Sequence, residues 1–286
     1  MVSSRTRTLA IIGDPIDHSL TPRIQNRALQ EIGADVVNIA FRVTPNTLEK
    51  AVHGAQSLGF LGLMVTIPHK EKVLALCDEL DESARLIGAA NLLHFRGDGR
   101  IIGYSSDGWA AIKSLEEEGA KVKQSRIAIL GGGGAARSLA LSFAREGATE
   151  IVLLNRTVER AQIIADEVRA LGTPARAMSL SQSTLQSVLP AIDLLVNATS
   201  IGMHPHEDAS PVDAKVLSPA LTVYDIVYNP LETRLLREAR GVGARGVDGL
   251  GMLIYTNVRA LQICAGLEIS AATMREEAMR VFAERT

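Results

Sequence analysis

Short apolar runs bounded by turn residues alternate with stretches of helical periodicity along the whole chain. This alternation is typical of βαβ units, in which helices join the strands of a mainly parallel sheet. At 286 residues, the chain is also longer than one typical domain, which has about 100 to 200 residues. The pattern therefore predicts an α/β protein with two domains.

The N-terminal third contains three apolar runs that predict strands, at residues 9–13, 36–43 and 61–67. Thr21 with Pro22, and Thr44 with Pro45, each supply an N-cap residue followed by a proline, which predicts helices that end near Ile32 and Gly59. Helical periodicity over 71–87 precedes two runs, 92–95 and 100–104, that predict an antiparallel hairpin. The first domain is accordingly predicted over residues 1–104.

A second series of runs predicts a doubly wound domain over residues 105–248. Its predicted strands are 127–130, 151–154, 193–197 and 221–227, with helices from about Gly134 and Val158. Beyond Gly251 the pattern is helical, and Thr273 and Glu276 have the spacing of a capping box. Residues 249–286 are thus predicted to be C-terminal helices.

Composition points to a small ligand. The chain has 30 Lys and Arg against 32 Asp and Glu, so its net charge of −2 gives no positive field for binding nucleic acid. Aromatic residues make up only 3% of the chain, which leaves few side chains for stacking on bases or sugar rings. A nucleic-acid partner is therefore not expected.

Cys77 and Cys264 are too few for a disulfide framework, which favours free thiols in a reducing, cytoplasmic compartment. The apolar run at 9–12 is stopped by Gly13, short of a signal peptide. No stretch reaches the roughly 18 apolar residues of a membrane span. We expect a cytoplasmic protein without a membrane partner.

Residues 129–137, ILGGGGAAR, contain GxGxxA directly between a predicted strand and a predicted helix. Glycines at these positions allow a tight turn and a close approach of the backbone to a pyrophosphate, whose charge is met by N–H groups at the helix N-terminus. A glycine-rich turn without a ligand is the alternative interpretation. The flanking strands favour dinucleotide binding.

The second strand of this series ends without the acidic residue that NAD-binding domains place near the ribose hydroxyls. Asn155, Arg156, Thr157 and Arg160 occupy this place and offer neutral and cationic donors. Such donors suit a 2′-phosphate. NADP is therefore favoured as the cofactor, and NAD remains possible.

Four polar clusters lie at the ends of predicted strands in the first domain, where α/β sheets keep their sites. They are residues 18–21, Thr66 with Lys70, residues 88–91 and residues 105–107. A lysine that can release a proton, paired with an aspartate, would serve alcohol oxidation by hydride transfer. Taken by themselves, Lys70 and Asp107 favour the interpretation of ordinary surface charges over that of a catalytic pair.

Nine motifs follow one another along the chain. In the first half they are GDPIDHSLTP at 13–22, VTIPHK at 65–70, GAAN at 88–91 and SDG at 106–108. In the second half they are GGGGAA at 131–136, NRT at 155–157, NATSIGM at 197–203, DIVYNP at 225–230 and GML at 251–253. In their residues and in their order, these motifs resemble those of the shikimate dehydrogenase family, and the resemblance covers nearly the whole chain.

This resemblance implies an N-terminal substrate domain, a Rossmann-type cofactor domain, and last helices that return to the first domain, with the substrate between the two. It implies that Lys70 is the general base and Asp107 its partner. Ser19, Thr21 and Tyr228 would receive a carboxylate, and Thr66 and Asn91 would contact the ring. The implied cofactor residues are Gly131, Gly132, Gly133, Gly134, Ala135, Asn155, Arg156, Thr157, Arg160, Thr199, Ile226 and Gly249.

Two substrate-facing positions depart from the family pattern. Met64 stands where the family usually has Asn, and Thr256 where it usually has Gln; Gln25 also replaces a His. A thioether gives no proper hydrogen bond to a hydroxyl, so we expect altered specificity at these positions.

The expected activity is the reversible oxidation of a ring hydroxyl of shikimate, a small cyclic polyol carboxylate. Quinate or an aminoshikimate is the alternative substrate, and a cofactor-binding regulator without turnover is the alternative of another class. No metal is expected, because His204 and His206 lack a third spaced ligand. A monomer or a homodimer is expected.

Overall fold

The computed structural model describes residues 2–285. The chain divides into two compact units. The first unit ends at Ser106 and resumes at Ile254, and the second unit is Asp107–Leu253. The domain boundaries predicted after residues 104 and 248 lie within five residues of these positions and stay predictions.

The first unit contains a six-stranded mixed sheet. Its strands are β1 (Arg7–Gly13), β2 (Val36–Arg42), β3 (Gly62–Val65), β4 (Glu79–Leu80), β5 (Leu92–Phe95) and β6 (Ile101–Tyr104). They lie in the order β2-β1-β3-β5-β6-β4. β1 pairs in parallel with β2 and β3, while β5 is antiparallel to both β3 and β6, which confirms the hairpin.

Three helices of this unit connect its strands: α1 (Thr21–Glu31), α2 (Leu48–Ser57) and α3 (Glu82–Ile87). α1 buries Thr21, Ile24, Gln25, Ala28 and Leu29. Their spacing of three and four residues forms one face of a helix. Burying a side chain such as Ile24 or Leu29 contributes about 1.5–3 kcal/mol, so packing of this face stabilises the helix.

The helix predicted over 71–87 is wrong as one element. The chain instead forms a 3₁₀ turn at Lys72–Leu76, then β4, then α3. β4 pairs with β6, and the Asp78 carboxylate accepts a hydrogen bond from the Ile101 N–H at 2.7 Å. The Asp81 side chain caps α3 by accepting from the Ala84 N–H. The contacts of β4 and Asp78 with β6, which is distant in sequence, override the local helical periodicity.

The second unit contains a six-stranded, fully parallel sheet in the order β12-β11-β10-β7-β8-β9. Its strands are β7 (Arg126–Leu130), β8 (Glu150–Asn155), β9 (Ala175–Ser179), β10 (Leu194–Asn197), β11 (Thr222–Asp225) and β12 (Arg245–Val247). Its helices are α4 (Asp107–Glu117), α5 (Gly134–Glu146), α6 (Val158–Ala170), α7 (Gln182–Val188) and α8 (Arg234–Gly241). The predicted doubly wound fold is confirmed.

Two helices follow β12: α9 (Leu250–Ala265) and α10 (Ala271–Arg285). α10 packs on α1, and the Arg23 guanidinium forms an ion pair with Glu277 at 2.8 Å. The predicted return of the C-terminal helices to the first unit is confirmed. The predicted capping box is wrong, because Thr273 lies inside α10 and its hydroxyl donates to Glu31.

Among the helices of residues 2–285, none is both long enough and apolar enough to cross a membrane.

Candidate functional site

The glycine loop connects β7 to α5. Gly131 has a φ of 126°, and a Cβ there would lie 2.9 Å from the Ala198 carbonyl oxygen, so a side chain is excluded on two grounds. A Cβ on Gly132 would lie 2.7 Å from Asn155 Nδ2. The loop is therefore packed against the ends of the two strands that flank β7, namely β8 and β10.

The outer side of this loop is open. Gly133, Gly134 and Ala135 are exposed, and a Cβ on Gly133 would meet nothing within 4 Å. No side chain caps α5, and its first turn contains no acidic residue. Because the first N–H groups of a helix lack acceptors within the helix and carry its positive dipole end, this position fits a pyrophosphate.

The residues after β8 surround the same loop. The Asn155 amide donates to the Thr157 carbonyl oxygen at 2.9 Å, which fixes the turn into α6. The Cβ of Arg160 lies 3.1 Å from the position of a Cβ on Gly132, and the side chains of Arg156 and Arg160 are exposed. Two guanidinium groups thus follow the strand next to the glycine loop, as the sequence predicts for a 2′-phosphate site.

The ends of β10 and β11 contain a buried network that the sequence analysis did not assign. Asp225 is fully buried and accepts hydrogen bonds from Asn197 Nδ2, the Val227 N–H and the Thr233 hydroxyl. Burial raises the pKa of this carboxyl to about 6, although the three donors act in the opposite direction. The sequence signal that could have indicated this network is an aspartate at the end of the buried strand β11.

Two predicted cofactor residues adjoin this network. The Thr199 N–H and hydroxyl both donate to Asn197 Oδ1, at 3.1 and 2.6 Å. Ile226 follows Asp225 directly, and a Cβ on Gly249 would overlap the Ile226 carbonyl. The network therefore holds the segments that carry Thr199 and Ile226.

Three of the four predicted polar clusters, and Ser106 of the fourth, belong to the first unit, where hydrogen bonds join the segments that carry them. The Asp14 N–H donates to the Ile67 carbonyl oxygen at 3.1 Å, which joins the loop after β1 to the loop after β3. The Ala90 N–H donates to the Lys70 carbonyl oxygen at 2.8 Å. The Asn91 side chain accepts from the Ser106 N–H at 2.8 Å and from its hydroxyl at 3.1 Å.

Within these clusters, Thr21 and Asn91 are buried, whereas Ser19, Thr66 and Lys70 are half-buried. The Ser19 hydroxyl accepts from the Thr21 N–H at 3.3 Å. Thr21 was predicted to be the N-cap of α1 but is its first residue, and Leu20 occupies the cap position without a side-chain bond. The first unit thus presents hydroxyl, amide and ammonium groups that together can bind a polyol acid.

His69 lies between Thr66 and Lys70 but is fully buried, with Nε2 2.6 Å from the Val43 carbonyl oxygen. It ties the loop after β3 to the residue after β2. Sequence reasoning assigned no role to this residue.

Met64 is buried, and its sulfur accepts a hydrogen bond from Gln25 Nε2 at 3.3 Å. The same amide nitrogen donates to the Asn257 carbonyl oxygen at 3.2 Å, and Gln25 Oε1 accepts from Asn38 Nδ2 at 2.8 Å. Gln25 therefore joins α1, β2, β3 and α9. Thr256, which precedes Asn257 on α9, is half-buried.

The remaining predicted residues occupy the second unit. Tyr228 is half-buried after β11, and Asp107 is the first residue of α4. His204 and His206 are exposed, and His204 Nδ1 lies 2.8 Å from Glu207. Among residues 2–285, no group of three or more His, Cys, Asp or Glu side chains is arranged to hold a metal ion.

Family models match both units. The shikimate dehydrogenase substrate binding domain matches residues 11–93, and the shikimate / quinate 5-dehydrogenase model matches residues 113–215. A shikimate dehydrogenase (NADP(+)) of Methanopyrus kandleri is 46% identical over 278 residues, which is 96% of each chain. The chain belongs to the shikimate dehydrogenase family.

Solved structures agree with this membership. A crystal structure of a shikimate dehydrogenase in complex with NADP+ is 38% identical, with a TM-score of 0.90 over 98% of this chain and 97% of that one. Shikimate 5-dehydrogenase from Listeria monocytogenes, in complex with shikimate and NAD, is 30% identical, with a TM-score of 0.92 over 96% and 97%. The two-domain shikimate dehydrogenase fold is thus confirmed.

Proposed function

We propose that this chain catalyses the reversible oxidation of shikimate to 3-dehydroshikimate with NADP. The observation that carries the proposal is the adjacency of Thr66, Lys70, Asn91 and Ser106 in the first unit of a shikimate dehydrogenase family member. These side chains supply the hydroxyl, ammonium and amide groups that a polyol acid needs.

In this proposal Lys70 is the general base, which takes the proton of the reacting hydroxyl, and Asp107 is its partner. Ser19, Thr21 and Tyr228 bind the substrate carboxylate, while Thr66 and Asn91 bind the ring. NADP, when bound, supplies the hydride acceptor. Proton removal by a positioned base contributes about 10² to 10⁴ in rate.

The cofactor preference follows from the second unit. The open N-terminus of α5, over Gly133 and Gly134, receives the pyrophosphate. Arg156 and Arg160 provide positive charge for a 2′-phosphate, and β8 ends at Asn155 rather than at an acidic residue. Glu159 lies between the two arginines in the chain, in the first turn of α6. NADP is therefore the cofactor, with NAD as the weaker alternative.

One observation favours a second substrate. The family usually presents an amide at the position of Met64. Here Met64 is buried, and its sulfur accepts a hydrogen bond from the Gln25 side chain. A site without this amide loses one hydrogen bond to a substrate hydroxyl. Quinate, or another relative that differs in its ring hydroxyls, is thus the second candidate. We also propose a cytoplasmic location. The free thiols of Cys77 and Cys264 support it, because cysteines stay reduced in that compartment.

The test uses the purified full chain in steady-state assays of shikimate and quinate, each with NADP and with NAD. We expect shikimate with NADP to have the highest kcat/KM. A higher kcat/KM for quinate would select the second candidate. Tight NADP binding without turnover of either acid would instead indicate a cofactor-binding regulator.

A further inference from the structure

Asp225 and Asn197 form a hydrogen-bond hub, the β10–β11 hub, at the carboxyl ends of two neighbouring strands. Both side chains are fully buried, and Asn197 Nδ2 donates to Asp225 Oδ1 at 2.9 Å. Asp225 Oδ1 also accepts from the Val227 N–H at 3.1 Å, and Oδ2 accepts from the Thr233 hydroxyl at 2.7 Å. A carboxylate suits this position because it is an acceptor only and can satisfy three donors at once.

All of these partners are neutral, so the carboxylate is held in a buried place without an opposite charge. Burying an ionisable group in this way is costly. Its burial raises the pKa of Asp225 to about 6, in keeping with that cost. A packed apolar side chain would avoid the cost, which suggests that the hub serves the site rather than stability.

The hub holds two segments of the chain in place. Through Asn197 it fixes the loop at 199–201, since Asn197 Oδ1 accepts from Thr199 and Nδ2 donates to the Ile201 carbonyl oxygen at 3.2 Å. Through the Val227 N–H it fixes the backbone that follows Ile226. The Ile226 N–H donates in turn to the Asn197 carbonyl oxygen at 3.2 Å.

The position of the hub in the sheet indicates which half of a dinucleotide it serves. β7, with the glycine loop, lies between β8 and β10 in the strand order. Arg156 and Arg160 follow β8, on one side of the loop, while the hub lies at β10 and β11, on the other side. A dinucleotide spans such a loop with its pyrophosphate in the middle. The adenosine half therefore lies on the β8 side and the nicotinamide half on the hub side.

We propose that Asp225, acting through Asn197 and Val227, is a positioning residue for the nicotinamide half of NADP. This inference rests on the proposed function and deepens it. Asp225 itself is buried and touches neither substrate nor cofactor. It orders the loops that carry Thr199 and Ile226, so that less conformational freedom is lost when the nicotinamide binds.

Calorimetric titration with NADP and with adenosine 2′,5′-bisphosphate, which lacks the nicotinamide half, tests the inference. In Asp225→Asn we expect NADP to bind about tenfold to a hundredfold more weakly and the bisphosphate to bind as in the unaltered protein. Asn197→Ser should show the same pattern. In assays, KM for NADP should rise while KM for shikimate stays unchanged.

Asp193→Asn is the matched control. Asp193 precedes β10 at the opposite end of the sheet, where it accepts from the Arg126 N–H at 2.8 Å, and it should alter neither titration. Equal weakening of both ligands in the hub variants, or unchanged NADP binding, would overturn the proposal. Failure of the unaltered protein to bind either ligand would refute the proposed function instead.

Hydrogen exchange of the unaltered protein gives a test that does not depend on whether the variants fold. NADP should slow exchange at residues 199–201 and 226–228, whereas adenosine 2′,5′-bisphosphate should slow exchange only around the glycine loop and at residues 155–160. Protection of the hub segments by both ligands, or by neither, contradicts the assignment of the hub to the nicotinamide half.

Discussion

The two units bring their polar side chains together in different ways. In the second unit, the glycine loop, the residues after β8 and the β10–β11 hub all follow the carboxyl ends of strands in one parallel sheet. In the first unit, Gln25 joins residues 13, 39 and 232 positions away along the chain. In the second unit, the polar groups lie on neighbouring loops at one edge of the sheet. In the first unit, they lie on elements that are far apart in the sequence.

This difference has a physical origin. A parallel sheet with crossover helices brings every strand end to the same edge, so the loops meet whatever their sequence separation. The first unit has a mixed sheet with an antiparallel hairpin. Its contacts around Gln25 include α9, from the far end of the chain. Each substitution in the second unit should therefore affect the binding of one part of the cofactor. The effects of substitutions around Gln25 should instead depend on one another.

The largest expected effect is that of Lys70→Ala, which should lower kcat for shikimate by about 10² to 10⁴ because it removes the proposed general base. NADP affinity should not change, since the proposed cofactor residues belong to the second unit. Steady-state kinetics and a titration with NADP measure the two quantities.

Lys72→Ala is the matched control, because Lys72 is exposed two residues away and should be dispensable. Wild-type kcat in the Lys70 variant would show that Lys70 is not the base.

Next in size is the cofactor preference of the double variant Arg156→Ala, Arg160→Ala. Charge-assisted hydrogen bonds contribute about 1.5 kcal/mol or more each, so NADP should bind on the order of a hundredfold more weakly. NAD binding should change little because NAD has no 2′-phosphate. Arg169→Ala, in the last turn of the same helix, is the control. Equal losses for NADP and NAD would contradict the 2′-phosphate assignment.

A smaller effect is expected on the pH dependence of stability. The pKa of Asp225 is about 6 in the folded chain and about 3.9 when unfolded. The folded state thus holds the proton more tightly, and the contribution of Asp225 to stability is full below pH about 4 and is lost as pH rises through about 6.

Relative to Asp225→Asn, the unaltered protein should therefore lose on the order of 2 to 3 kcal/mol of unfolding free energy between about pH 4 and 8. Denaturant unfolding of both proteins across this range measures the difference. A difference that is constant with pH would show that the carboxyl titrates normally.

The smallest expected effect tests the coupling around Gln25. Met64→Asn with Thr256→Gln should raise kcat/KM for shikimate about fivefold or more, by restoring two amides. Met64 also accepts from Gln25, so the two changes should not be additive, and a full double-mutant cycle is needed.

Met64→Leu keeps the apolar volume and serves as the control, with no gain expected. A flat or falling kcat/KM in the double variant, with folding and NADP binding intact, would mean that these positions do not set specificity.

The predictable part of the fold was the part encoded by local patterns. The buried apolar runs predicted β1, β7, β8 and β10, and glycines followed by a helical stretch predicted the loop before α5. β9 and β12 were missed because β9, at a sheet edge, has no buried residue and β12 has only three residues. Neither contains an apolar run that a sequence pattern could detect.

For the candidate site, the sequence by itself predicted which residues carry the chemistry, because motifs such as VTIPHK and NRT contain their functional groups in adjacent positions. These assignments stay predictions. Tertiary structure alone decided the supports: the bonds of Gln25 to Met64 and Asn257, the tether from His69 to Val43, and the burial of Asp225. A hydrogen bond between distant residues leaves no periodic trace in the chain, since its partners are chosen by the packing of whole elements.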